Sequence, residues 1–61
     1  MNYNMKKAKC KVWEIENPKN WWYETFNVYE LKNIDDIFRA FNSSLRPNEK
    51  ARTYEFIEYE Q

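Results

Sequence analysis

The chain has no glycine and no histidine, one cysteine and two prolines among its 61 residues, and its formal net charge is zero. Each absence closes off a class of chemistry. Without histidine, neither the usual zinc spacings nor a Cys-His or Ser-His-Asp arrangement can be built. Without glycine there is no phosphate-cradling loop, and a tight two-residue hairpin, whose turn calls for positive φ, is not expected. A lone cysteine forms no internal disulfide, which agrees with a reducing compartment. The N-terminal lysines are not followed by an apolar run of about 7 residues, and nothing approaches transmembrane length. Neither a signal peptide nor a membrane partner is therefore expected, and the expected location is the cytoplasm. Zero net charge removes the general argument for binding duplex nucleic acid or an anionic membrane.

What the chain has in abundance is aromatic side chains: three Trp, five Tyr and four Phe. Such a composition argues for a packed domain rather than a disordered segment. Residues 1–61 make one small α+β domain, near the lower size limit for independent folding, where only about 60% of the unfolded surface is buried. Small scaffolds supplement a marginal core with disulfides, a metal or a partner subunit. With the first two excluded, a homodimer is expected. The wealth of Asn, Lys, Tyr, Glu and Ile resembles AT-rich coding, as in low-GC bacteria and their phages.

Residues 1–4 are expected to fray. From Lys7 to Val12, strict alternation sets Ala8, Cys10 and Val12 on one face of a strand and Lys7, Lys9 and Lys11 on the other. Trp13 and Ile15 then join the lysine face, so either both faces turn apolar there or a bulge resets the phase at Val12 and Trp13. Asn17-Pro18-Lys19-Asn20 has turn chemistry and predicts a hairpin loop of four or five residues. A second strand follows, about Trp21 to Tyr29. Trp22, Phe26 and Val28 share one of its faces; Trp21, Tyr23, Thr25 and Tyr29 share the other.

Asn33 is placed to cap a helix with Asp35 and Asp36 in its first turn. Ile34, Ile37, Phe38 and Phe41 form one apolar stripe, with Leu45 a turn further on. Ser43, Ser44, Pro47 and Asn48 end the helix, which runs from roughly Ile34 to Asn42. Arg52 to Glu60 is a third strand of ambiguous phase: Tyr54 and Phe56 share one face, Ile57 and Tyr59 the other. The order ββαβ predicts a three-stranded antiparallel sheet in the order 2-1-3, with the helix packed on one face and a right-handed crossover. Lysines of the first strand would then sit opposite or diagonal to glutamates of the third, which carries Glu55, Glu58 and Glu60, each opposite-charge pair contributing about 0.2–1 kcal/mol.

The stripe accounts for one face of the sheet. The other carries Trp13, Trp21, Tyr23 and Tyr29 beside Lys7, Lys9 and Lys11, a patch that monomers seldom leave open. Trp and Tyr are typical hot spots, so these four aromatics are the candidate protein interface. The same lysines could contact phosphates while bases stack on the rings, which makes single-stranded nucleic acid the alternative partner. Against it stand the balanced charge and the expected neutralisation of the lysines by Glu55 and Glu14.

Cys10 lies between two lysines, but alternation buries it under the helix as a small hydrophobe. Helix capping, edge protection and solubility account for the acidic pairs Glu14/Glu16, Asp35/Asp36 and Glu58/Glu60. No catalytic residue, metal ligand or cofactor site is expected. The expectation is a small non-enzymatic binding or inhibitory protein, dimeric and encoded by a phage or mobile element. It would occupy a surface of a larger host protein, such as a component of a defence system.

Overall fold

Alternation decides the first strand. The computed structural model describes residues 4–60; most of the segment expected to fray lies outside them. The elements run β1 (Lys6–Glu14), β2 (Asn17–Val28), α1 (Lys32–Ser43) and β3 (Arg52–Glu60). The sheet order is β2-β1-β3, antiparallel throughout, with the helix on one face. The fold is the α+β ββαβ arrangement that the patterning predicts.

Ala8, Cys10 and Val12 are fully buried and join Val28, Ile34 and Phe38 in the core, with Trp22, Phe26, Tyr54 and Phe56 packed against it. Small side chains along the middle of β1 let α1 approach the sheet. Phe38 then meets Phe26 edge-on at 5.6 Å and stacks on Tyr54 at 4.8 Å, touching the strands on both sides of β1. The helix axis therefore lies over β1.

The β1–β2 register is regular from Lys6↔Val28 to Trp13↔Trp21, so Trp13 stays on the lysine face and no bulge falls between Val12 and Trp13. The irregularity comes one residue later, because Glu14 pairs with Asn17. The turn is thus Ile15-Glu16, two residues long, and Pro18 lies within β2 rather than in a longer loop. This corrects the expected four- or five-residue connection. No described residue has positive φ, so the turn is not of the glycine-requiring kinds. The three extra residues of β2 take up the twist mismatch in the ladder, where Pro18 has no hydrogen bond to donate.

A second irregularity settles the phase of β3. Lys9 pairs with Glu58 and Cys10 with Phe56, leaving Ile57 as the extra residue of a bulge. Tyr54, Phe56 and Tyr59 oppose Val12, Cys10 and Ala8 on the helix side, while Glu55, Glu58 and Glu60 oppose Lys11, Lys9 and Lys7 on the open side.

The helix starts two residues earlier than the apolar stripe suggests, with Leu31 at its N-cap and no side-chain cap. Asn33 serves the preceding bend instead. Its Oδ1 accepts from the backbone N–H groups of Tyr29 at 3.1 Å and Glu30 at 3.0 Å. At the other end the Ser43 and Ser44 hydroxyls donate to the carbonyls of Arg39 and Ala40, four residues back, local bonds that compete with the helix ladder where it ends. The Asn42 side chain then grips β3 where it begins, accepting from Arg52 N–H at 2.9 Å and donating to Arg52 C=O at 2.8 Å.

Candidate interaction surface

Among the described residues no element packs on the face of the sheet away from α1, and β1 and β2 furnish its aromatic half. Trp13 lies opposite Trp21, Lys11 opposite Tyr23, Lys9 opposite Thr25 and Lys7 opposite Asn27. Trp21 is 46% exposed and Tyr23 55% exposed, and their rings meet edge to face at 5.3 Å. Trp13 is half-buried.

The lysines are where the expected picture changes. Register sets each of them opposite a glutamate of β3, yet among the described residues none of these cross-strand pairs closes to an ion pair. Lys11 Nζ lies 4.7 Å from the centroid of Trp21, and Lys9 Nζ lies 4.7 Å from that of Tyr23. Each leans diagonally across the ladder to the residue two before its direct partner, a distance that a long side chain spans. A ring face attracts a cation by about 0.5–1 kcal/mol at exposed sites, comparable with an exposed ion pair. The aliphatic stem gains apolar contact as well. Lys6 makes a similar contact with Tyr59 at 5.1 Å.

The glutamate column is left for other partners. Glu60 Oε1 accepts from the Thr25 hydroxyl at 2.5 Å, reaching across β1 to β2. The open face is therefore polarised, with lysine-clasped rings toward β2 and carboxylates toward β3. Tyr29, the fourth candidate aromatic, falls beyond the end of β2 in the bend before α1 and is exposed. The structure brings Trp13, Trp21 and Tyr23 together with Lys7, Lys9 and Lys11, and leaves Tyr29 outside the strand.

Cys10 is fully buried with its Sγ toward the Ala8 carbonyl. Burial, and then the charge of Glu24 opposite, push its thiol pKa up. Reactive cysteines show the opposite tendency. Of the acidic pairs, Asp35 and Asp36 serve local structure: Asp35 accepts from the Tyr54 hydroxyl and Asp36 pairs with Arg39 at 3.7 Å. Among the described residues no three acidic or cysteine side chains gather as a metal site would require.

One arrangement has no counterpart in the sequence reading. The Arg52 guanidinium lies 4.2 Å from the Phe41 centroid and 5.1 Å from that of Trp22, with its Nε buried and without a hydrogen-bond partner. It stands at one end of a cleft of about 160 Å³ between α1 and β2, lined by Glu24, Phe26, Ile37, Phe38 and Phe41. Glu24 accepts from Trp22 Nε1 at 2.9 Å. This volume is well below the ~300 Å³ at which small-molecule sites begin. The only cue in the sequence was an arginine at the start of an aromatic strand.

No described helix is long and apolar enough to cross a membrane. Comparison with protein families, with curated proteins and with solved structures found no match.

Proposed function

We propose that the protein is a small non-enzymatic binding protein that acts, as a homodimer, by occupying a surface of a larger protein with the open face of its sheet. The observation that carries this reading is the clasped pair Trp21 and Tyr23. Two large rings stand exposed yet held by each other and by Lys9 and Lys11, so little side-chain freedom remains to be lost on binding. Balanced charge suits a protein partner. The lysine ammoniums occupy ring faces on which bases would stack, which favours protein over single-stranded nucleic acid. Chain size and composition support an inhibitor of a host defence protein, encoded by a phage or mobile element and acting in the host cytoplasm.

Affinity capture compared between the wild type and a Trp21→Ala/Tyr23→Ala variant tests the surface. A partner held by the wild type should be released by the variant, with affinity lower by about thirtyfold if the pair forms a hot spot of at least about 2 kcal/mol. Equal retention would place the interface elsewhere. Tryptophan quenching by single-stranded oligonucleotides with steep salt dependence would replace this reading with the nucleic-acid one.

A further inference from the structure

The two edges of the sheet are built differently. The β3 edge carries Glu55, Glu58 and Glu60 and is broken by the bulge at Ile57, both devices that keep an edge from pairing. The β2 edge has neither over Trp21 to Val28: its register with β1 is unbroken, it contains no proline, and Glu24 is its one charge. Pro18 and the irregular pairing are confined to its first four residues. A strand this long with few charges leaves a row of backbone donors and acceptors open to another strand.

The helix is also uncovered on that side. Ile37 belongs to the apolar stripe of α1 yet is 42% exposed, because it looks over the cleft whose floor is Phe26 of β2. Among the described residues this flank thus lacks both a strand beside β2 and an apolar wall beside Ile37. A second copy of the chain presents both at once, in the same spatial relation. Charge permits self-pairing over Trp21–Val28, where Glu24 is the one charged residue, and opposes it at β3, where glutamates would face glutamates.

We propose that two copies pair antiparallel through their β2 edges, forming a continuous six-stranded sheet with both helices on one face. The inference rests on the dimeric part of the reading above and is independent of what the open face binds. Strands spaced ~4.8 Å apart put the two β1 strands, and the helices over them, about 14 Å apart. Helices in direct contact lie about 8–10 Å apart, so the gap is filled by Phe26 and Ile37 from each copy and the two clefts become one core. The two-fold axis lies away from Glu24, which would otherwise face its own image. On the opposite side the Trp21 and Tyr23 pairs of both copies come together as one double-width aromatic surface.

Sedimentation velocity combined with hydrogen exchange at rising protein concentration tests the geometry. The expected result is a dimer in which amides of Trp21 to Val28 gain protection with concentration while those of β3 do not. Ile37→Asp, an exposed helix position, should keep the far-ultraviolet spectrum of the wild type and weaken association by about tenfold or more, because it buries an unpaired charge. Trp13→Ala, on the open face of β1 and away from the β2 edge, should leave the mass unchanged. A monomer up to millimolar concentration overturns both the edge pairing and the dimer. A dimer without β2 protection, or one lost in Trp13→Ala and kept in Ile37→Asp, overturns the edge pairing alone and assigns association to the open faces.

Discussion

Replacing Phe38 by alanine removes a side chain that ties α1 to both outer strands of the sheet. Its ring is 8% exposed, stacks on Tyr54 of β3 and meets Phe26 of β2 edge-on. Truncating a buried Phe costs about 3–5 kcal/mol, from lost transfer energy and from the cavity left behind. Here the vacated space would merge with the neighbouring cleft, and water can enter it, so the lower end of that range is expected. A 61-residue domain holds roughly 3–9 kcal/mol in total, so the loss is of the same order as the stability itself. Urea unfolding followed by tryptophan fluorescence and far-ultraviolet dichroism measures it. The midpoint should fall steeply with little change in slope, or the variant should be partly unfolded without denaturant. A loss below about 1 kcal/mol would show that α1 is not held through Phe38 and would refute the placement of its axis over β1.

Two further outcomes follow from single residues. Burial, and then the hydrogen bond to Asp35, push the Tyr54 pKa up to about 12. The folded state then keeps this proton longer than the unfolded chain, so the stabilisation is complete below about pH 10 and is lost as pH rises toward 12. The stability difference between wild type and Tyr54→Phe should narrow over that range in denaturant titrations; a constant difference would contradict the assignment. Cys10, buried and with its thiol pKa raised, should react with a thiol reagent only as fast as the protein opens. Rapid labelling of the native protein at neutral pH would place the sulfur outside the core.

The faces of the strands were legible because burial imposes a period of two, and Ala8, Cys10, Val12 against Lys7, Lys9, Lys11 admits one solution. Strand order followed from the single helix between β2 and β3. The hairpin was misread because Asn17 to Asn20 has turn composition, while the actual turn, Ile15-Glu16, has none. Its shape is set by the three-residue slip that accommodates Pro18, a property of the paired ladder rather than of the turn residues. Asn33 was assigned to the wrong side of the helix start, since an Asn can accept from the bend before it as readily as from the turn after it. The lysine contacts were not legible either. Strand order foretold that glutamates of β3 come near the lysines of β1, but which glutamate lies opposite depends on the bulge at Ile57, and whether an ammonium chooses a carboxylate or a ring depends on side-chain reach. Arg52 was missed because its two rings come from elements remote in sequence.

Every described residue keeps a negative φ, and this bears on the unfolded chain as much as on the folded one. At ordinary usage, about 7% glycine, a chain of this length would contain roughly four glycines. Each glycine replaced where negative φ suffices restricts the denatured ensemble and gains about 0.4–1 kcal/mol. The turns of this protein therefore spare it an entropic cost on the order of 2–4 kcal/mol, and a core of six buried side chains among the described residues can hold against that smaller opposing term.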